Sequence, residues 1–162
     1  MTTVLVTRPA AQAAELVALL AECGIDAVSV PTVETAPPAR GGPLDDAIRS
    51  LGGAAWLVIT SVNGAAALVA RLRAMGLSLP EGVGVAAVGP TTAAALRTGG
   101  LSVDHVPSRY LTVAIAEGLG EVAGRRVVLA RADAATPDLR DALVRRGALV
   151  EEVVAYRTVE GP

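Results

Sequence analysis

Apolar residues follow two rhythms along this chain. Short valine-rich runs alternate with longer stretches in which leucine and alanine return every three or four positions. Residues 4–6 (VLV) are a short apolar strand ending at Thr7-Arg8-Pro9. Proline is tolerated at a helix start, because its missing N–H would be unpaired there anyway. Leu16, Leu19, Leu20 and Cys23 then recur at helical spacing over residues 11–23, which predicts a helix with Cys23 in the core. Gly24 is its stop, and residues 27–33 read as a second strand. Strand, helix and strand make a βαβ unit, the signature of a parallel sheet.

The stretch 36–43 (APPARGGP) opposes both helix and strand and reads as a linker or hinge. Residues 44–51 form a short helix with Leu44, Ala47, Ile48 and Leu51 on one face. A strand at 56–59 and a helix at 62–75 follow, stopped by Gly76, and a loop covers 77–84. Residues 85–96 (VAAVGPTTAAAL) give strand, tight turn and helix, the helix ending at Gly99-Gly100. Beyond lie a short strand at 101–106, a helix at 111–118, a strand at 126–130, a helix at 137–146 and a last strand at 150–156. The alternation places the chain in the α/β class with parallel sheets and flanking helices.

Two of the turns share a grammar. Thr60-Ser61 and Gly89-Pro90-Thr91-Thr92 each end a strand and open a helix. First-turn N–H groups lack helical partners and sit at the positive end of the helix dipole, which suits an anion. Parallel sheets take ligands at the carboxyl ends of their strands. Those ends carry Thr7-Arg8, Thr60-Ser61, residues 89–92, and Arg131 with Asp133, so these residues are expected to line one polar crevice.

Composition narrows the choice. Hydrophobic residues make up 52% with only 2% aromatics and no Phe, so the core must be Val, Leu, Ile and Ala. No apolar run reaches the roughly 18–20 residues of a membrane span, and no N-terminal stretch has the form of a signal peptide. The expected location is cytoplasmic, with no membrane partner. A net charge of −2 gives no electrostatic footprint for nucleic acid. All 14 basic residues are Arg, which reflects either a GC-rich genome or forks that hold carboxylates. One Cys and one His allow no intrachain disulfide and no protein-only structural zinc site. His105 has no evident nucleophile beside it in the sequence. GxxxxGK cannot occur without Lys, and no GxGxxG follows the first strand.

There is also an internal repeat. Residues 4–35 align with 127–158 at a constant offset of 123, matching Arg8 with Arg131, Leu16 with Leu139, Leu20 with Leu143, Gly24 with Gly147 and Thr35 with Thr158. Leucines and glycines are common to any two βαβ units, so the arginine and threonine matches are the informative ones.

In order along the chain, VLVTRP, VPTVETAP, ITSVNGA, AVGPTTAAAL and VVLARAD…LVRRGALVEEVVAYRTV resemble the uroporphyrinogen-III synthase family over essentially the whole sequence. The resemblance implies two α/β lobes joined by two extended connections. Residues 1–35 would be the βαβ unit of the first, incomplete lobe, 36–43 a hinge, 44–156 the second lobe and 157–162 the return connection. It also implies an enzyme, a lyase of porphyrin and haem biosynthesis. The family closes the acidic linear tetrapyrrole hydroxymethylbilane, inverts its last ring and releases water, with no cofactor and no metal. Family members are longer, so activity of this chain alone is in question, and the unpaired first lobe invites self-association or pairing. A non-catalytic α/β module that binds a small anion or a partner is the alternative.

Each candidate residue has two readings. Thr60, Ser61, Gly89, Thr91 and Thr92 offer mild donors to substrate carboxylates, or they cap helices; both roles are compatible. By resemblance Tyr156 is the catalytic candidate, helping the leaving hydroxyl depart; a phenol with a pKa of about 10 is neutral at pH 7 and can donate. Otherwise it is a strand residue chosen for packing, as Tyr110 is expected to be, or a loop cover. Thr7, Arg8 and Arg131 are candidate substrate contacts, the arginines through bidentate pairing, or else members of ion pairs such as Arg131 with Asp133.

Overall fold

Trp56 and Leu57 already show how the larger part of the molecule is built: neighbours on one strand, they belong to opposite cores. The computed structural model describes residues 3–109 and 111–161; Tyr110 lies outside the described residues. The chain divides into two compact units, Met1–Ala36 with Arg157–Pro162, and Pro37–Tyr156.

The first unit holds β1 (Thr3–Val6), α1 (Ala10–Glu22), β2 (Asp26–Ser29) and β3 (Val33–Ala36). β1 and β2 pair in parallel. The single strand expected over residues 27–33 is two strands. Pro31, which has no N–H to donate, lies between them, and they take different partners. β3 pairs antiparallel with the end of the last strand, with Thr35 opposite Thr158. Cys23 is exposed rather than core, as is Leu19. Leu5 and Val28 are direct cross-strand partners, yet they are 64% and 49% exposed.

The second unit holds α2 (Pro43–Arg49), β4 (Trp56–Ile59), α3 (Val62–Met75), β5 (Gly84–Ala87), α4 (Pro90–Thr98), α5 (Thr112–Gly118), β6 (Arg126–Ala132), α6 (Asp138–Arg145) and the greater part of β7 (Leu149–Glu160). Its strands lie in the order β7-β6-β4-β5, and all are parallel. Successive side chains on a strand point to opposite faces. Leu57, Ile59, Val85, Ala87, Val128 and Ala130 therefore face α2, α3 and α4. Val58, Ala86, Val127 and Leu129 face α5 and α6. Both cores are aliphatic, as the composition requires. Gly76 closes α3 in the left-handed conformation at φ 64°, which costs glycine nothing.

The strand expected at 101–106 reduces to one bridge between His105 and Ala86. The Asp104 carboxylate accepts the Val85 N–H at 2.8 Å, replacing a ladder bond with a side-chain one. The last strand runs four residues beyond its expected end, carrying β7 into the first unit. Among the described residues no helix is long and apolar enough to cross a membrane.

Candidate functional site

In the second unit Ile59 is in register with Ala87 on β5 and Ala130 on β6. The next residues, Thr60, Val88 and Arg131, therefore start one common edge, the carboxyl edge of the sheet. The chain steps from β4 to β5 on one side and to β6 on the other, so its topological switch point lies between β4 and β6. Such points form ligand crevices.

Ser61 is the N-cap of α3 and accepts the Gly64 N–H at 3.0 Å. Its own hydroxyl proton is left to donate elsewhere. Gly64 is a residue that sequence reasoning passed over. It is buried, and a Cβ there would stand 3.2 Å from Ser61 Oγ and 3.5 Å from the Ala130 carbonyl. Its absence lets the first turn of α3 cross the end of β6. The signal was the Asn63-Gly64 pair inside an otherwise helical run.

The turn at the end of β5 is built differently. Gly89 is the N-cap of α4 and Pro90 opens the helix, with no side-chain cap. Pro90 has no donor, so the free first-turn donors are the N–H groups that follow it. Thr91 is exposed; the Thr92 side chain is 4% exposed and belongs to the interior.

Arg131 lies inside β6, not past its end as Arg8 does after β1, because β6 continues to Ala132. It is 4% exposed. Its guanidinium donates to the Thr136 carbonyl and stands 3.2 Å from Glu152 Oε1. Glu152 also meets Arg140 at 3.5 Å. A cavity of about 190 Å³ lies beside it, lined by Asp133 and Glu152 among others.

Tyr156 owes its place to an irregularity. Arg131 pairs with Val154, but Ala132 pairs with Tyr156, so Ala155 is an extra residue on β7. Such bulges re-aim side chains. Here Tyr156 takes the position opposite Ala132 and packs, half-buried, against the core under α3 and α4. Those are the helices whose N-termini follow Thr60 and Val88. The Asp133 N–H donates to the Tyr156 carbonyl at 3.2 Å.

The second unit thus brings Thr60, Ser61, Gly89, Thr91, Thr92, Arg131 and Tyr156 to one edge. Thr7 and Arg8 follow β1 in the first unit, both exposed, and the Thr7 carbonyl accepts the Thr32 N–H at 3.3 Å. His105 is a packing residue. Its ring meets Trp56 edge-on at 6.5 Å and fills the space a Cβ on Gly118 would occupy.

A further pair gave no motif. Asp45 on α2 is 1% exposed. It accepts from Arg71 on α3 at 2.7 and 2.5 Å and from the Gly41 N–H at 2.6 Å. The hydrogen bonds from Arg71 hold its carboxyl well below the usual range, at about 2, against the opposing effect of burial. The pair ties the 37–43 segment to two helices.

These features define a class: an α/β protein whose parallel sheet gathers hydroxyl-bearing turns at its carboxyl edge. A family model described as "Uroporphyrinogen-III synthase HemD" matches residues 14–162. The chain is 33% identical over 159 residues to the uroporphyrinogen-III synthase of Synechococcus elongatus, covering 96% of this chain and 60% of that protein. It is 29% identical over 157 residues to that of Escherichia coli, covering 95% and 64%. A crystal structure of mutant uroporphyrinogen III synthase from Thermus thermophilus shares the fold, with a TM-score of 0.76 and 22% identity over 99% of this chain and 64% of that one. The chain belongs to the uroporphyrinogen-III synthase family. It spans less than two thirds of the length of these relatives.

Proposed function

We propose that this chain binds hydroxymethylbilane and takes part in its closure to uroporphyrinogen III, as a lyase of tetrapyrrole biosynthesis in the cytoplasm. What carries this is that Ser61 at the start of α3 and Thr91 at the uncapped start of α4 follow the carboxyl ends of strands in one sheet, where Tyr156 at the bulge of β7 pairs with the last residue of β6. An acidic substrate needs many donors that do not titrate near neutrality. Backbone N–H groups and hydroxyls meet that need.

In this reading residues 44–156 are the second lobe, 1–35 contribute to the first, 36–43 are the hinge and 157–162 the return. Thr60, Ser61 and Thr91 supply hydroxyl and backbone donors to acetate and propionate groups, Gly89 and Thr92 supply backbone N–H groups alone, and Thr7 and Arg8 are the candidate donors of the first unit. Arg131 borders the crevice. Tyr156 gives a proton to the departing hydroxyl, the C–O bond breaks and water leaves. The last ring attacks the resulting cation through its substituted carbon to form a spiro intermediate, which reopens and recloses at the other carbon of that ring. The proton that carbon loses restores the aromatic pyrrole, and the ring is inverted. No cofactor or metal enters the scheme. Freshly generated hydroxymethylbilane, incubated with the protein and followed by isomer analysis, tests it. Type III product is expected, and only the spontaneous type I isomer would remove the catalytic reading.

A second reading has its own observation. The Leu5–Val28 pair leaves an apolar sheet face bare, and such faces mark association sites. We infer that the first unit self-associates or pairs with a second polypeptide. Light scattering tests this; a monomer that binds no apolar dye would contradict it.

A further inference from the structure

Arg131 was a candidate for holding substrate, yet its surroundings point elsewhere. Two positions beyond Leu129, it faces the α6 side of the sheet. There its guanidinium is held by the protein: one nitrogen donates to the Thr136 carbonyl, and the other, which makes no hydrogen bond, stands 3.2 Å from Glu152 of β7 as an ion pair. The first contact closes the loop between β6 and α6 on itself. The second ties that loop to β7, four residues before Tyr156. From within the same loop the Asp133 N–H reaches the Tyr156 carbonyl, and Ala132 pairs with Tyr156 across the bulge. Both of these contacts on Tyr156 come from the two residues following Arg131.

We propose that Arg131 is a positioning residue for Tyr156: it clips the β6–α6 loop so that the bulge at Ala155 stays in register and the phenol stays on the α3/α4 face. This rests on the reading of Tyr156 as the proton donor. It assigns to Arg131 an effect on turnover rather than on substrate affinity. A bulge is a place where a strand has a choice of register. Without the clip, Ala155 can pair with Ala132 and Tyr156 turns to the opposite face. Lys in place of Arg131 keeps the charge but offers no planar fork, so it reaches one of the two partners at a time.

The experiment uses the full chain carrying 3-fluorotyrosine. The sequence has two tyrosines, and Tyr110→Phe assigns the Tyr156 signal. Arg131→Gln and Arg131→Lys are compared by thermal melting and fluorine NMR, and R131K carries the test if R131Q does not fold. The expected result is a Tyr156 resonance moved outside its original linewidth or split in two, fully in R131Q and partly in R131K. Turnover should fall about tenfold while KM stays within about twofold. An unmoved resonance in a folded variant overturns the proposal, and a raised KM beside it would make Arg131 a substrate clamp. A moved resonance in a protein that forms no type III isomer leaves the positioning standing and removes only the catalytic reading.

Discussion

Thr35 and Thr158 face each other across the antiparallel pair formed by β3 and β7. They are also the residues that the 123-residue repeat makes equivalent. The ladder around them maps onto itself under the same shift: Glu34 pairs with Val159 and Ala36 with Arg157. The ladder is thus locally two-fold about this pair.

That register is open to direct test. Opposed residues on antiparallel strands come within the Cα separation a disulfide accepts, about 4.4–6.8 Å. With Cys23 changed to Ser, Thr35→Cys with Thr158→Cys should oxidise to a crosslinked monomer, seen as a mobility shift on non-reducing gels. Glu34→Cys with Thr158→Cys should not. Efficient crosslinking in the second pair would mean the register is slipped by one residue.

Asp45 and Arg71 should dominate the acid response of the second unit. The folded pKa of Asp45 lies below its unfolded value, 3.8 against about 2. Its stabilisation is therefore complete above about pH 4 and is lost as pH falls through 2. Asp45→Asn should flatten that part of a urea-denaturation series and should lower stability at pH 7 by about 3 kcal/mol, since it breaks a buried pair. A variant as stable as the parent at pH 7 would show that the pair contributes nothing net.

Ser61 separates capping from binding. Ser61→Ala removes the acceptor of the Gly64 N–H and should cost about 1 kcal/mol, whereas Ser61→Gly should cost only a few tenths. A substrate contact through the hydroxyl would raise KM equally in both. If KM follows the stability order instead, the hydroxyl serves the helix alone.

Tyr156→Phe keeps the ring that packs against the core and removes only the donor. Melting should be unchanged, and turnover should drop by about tenfold or more, in line with losing a positioned proton donor. Equal turnover would take Tyr156 out of the chemistry.

Gly99 reports on helix packing. A Cβ there would lie 2.3 Å from Val69 Cγ2, and valine has little rotamer freedom in a helix. Gly99→Ala should cost about 1–3 kcal/mol, and its double variant with Val69→Ala should lose at least about 1 kcal/mol less than the two single changes added. Additive losses would show that α3 and α4 yield to each other at that contact.

The sequence by itself determined most of the second unit. The apolar runs of β4 and β6 can be buried on both faces only between helix layers. Gly76 and Gly100 end helices because the left-handed backbone there favours glycine, and Ser61 caps α3 because its oxygen reaches three residues ahead. These are local effects, set by residues near in the chain. The tertiary structure decided what depends on distant partners. Pro31 divides one apolar run into β2 and β3 because their ladders lie with different strands. Cys23 has helical spacing but no described layer over it. Asp45 carries no motif, because Arg71, 26 residues away, makes its burial tolerable. Tyr156 is the sharpest case. Strict alternation on β7 gives it the same face as Val154, and the extra residue Ala155 turns it to the other, beside the starts of α3 and α4. Alternation is a property of the strand alone, whereas the bulge is set by the β6–α6 loop packed against it.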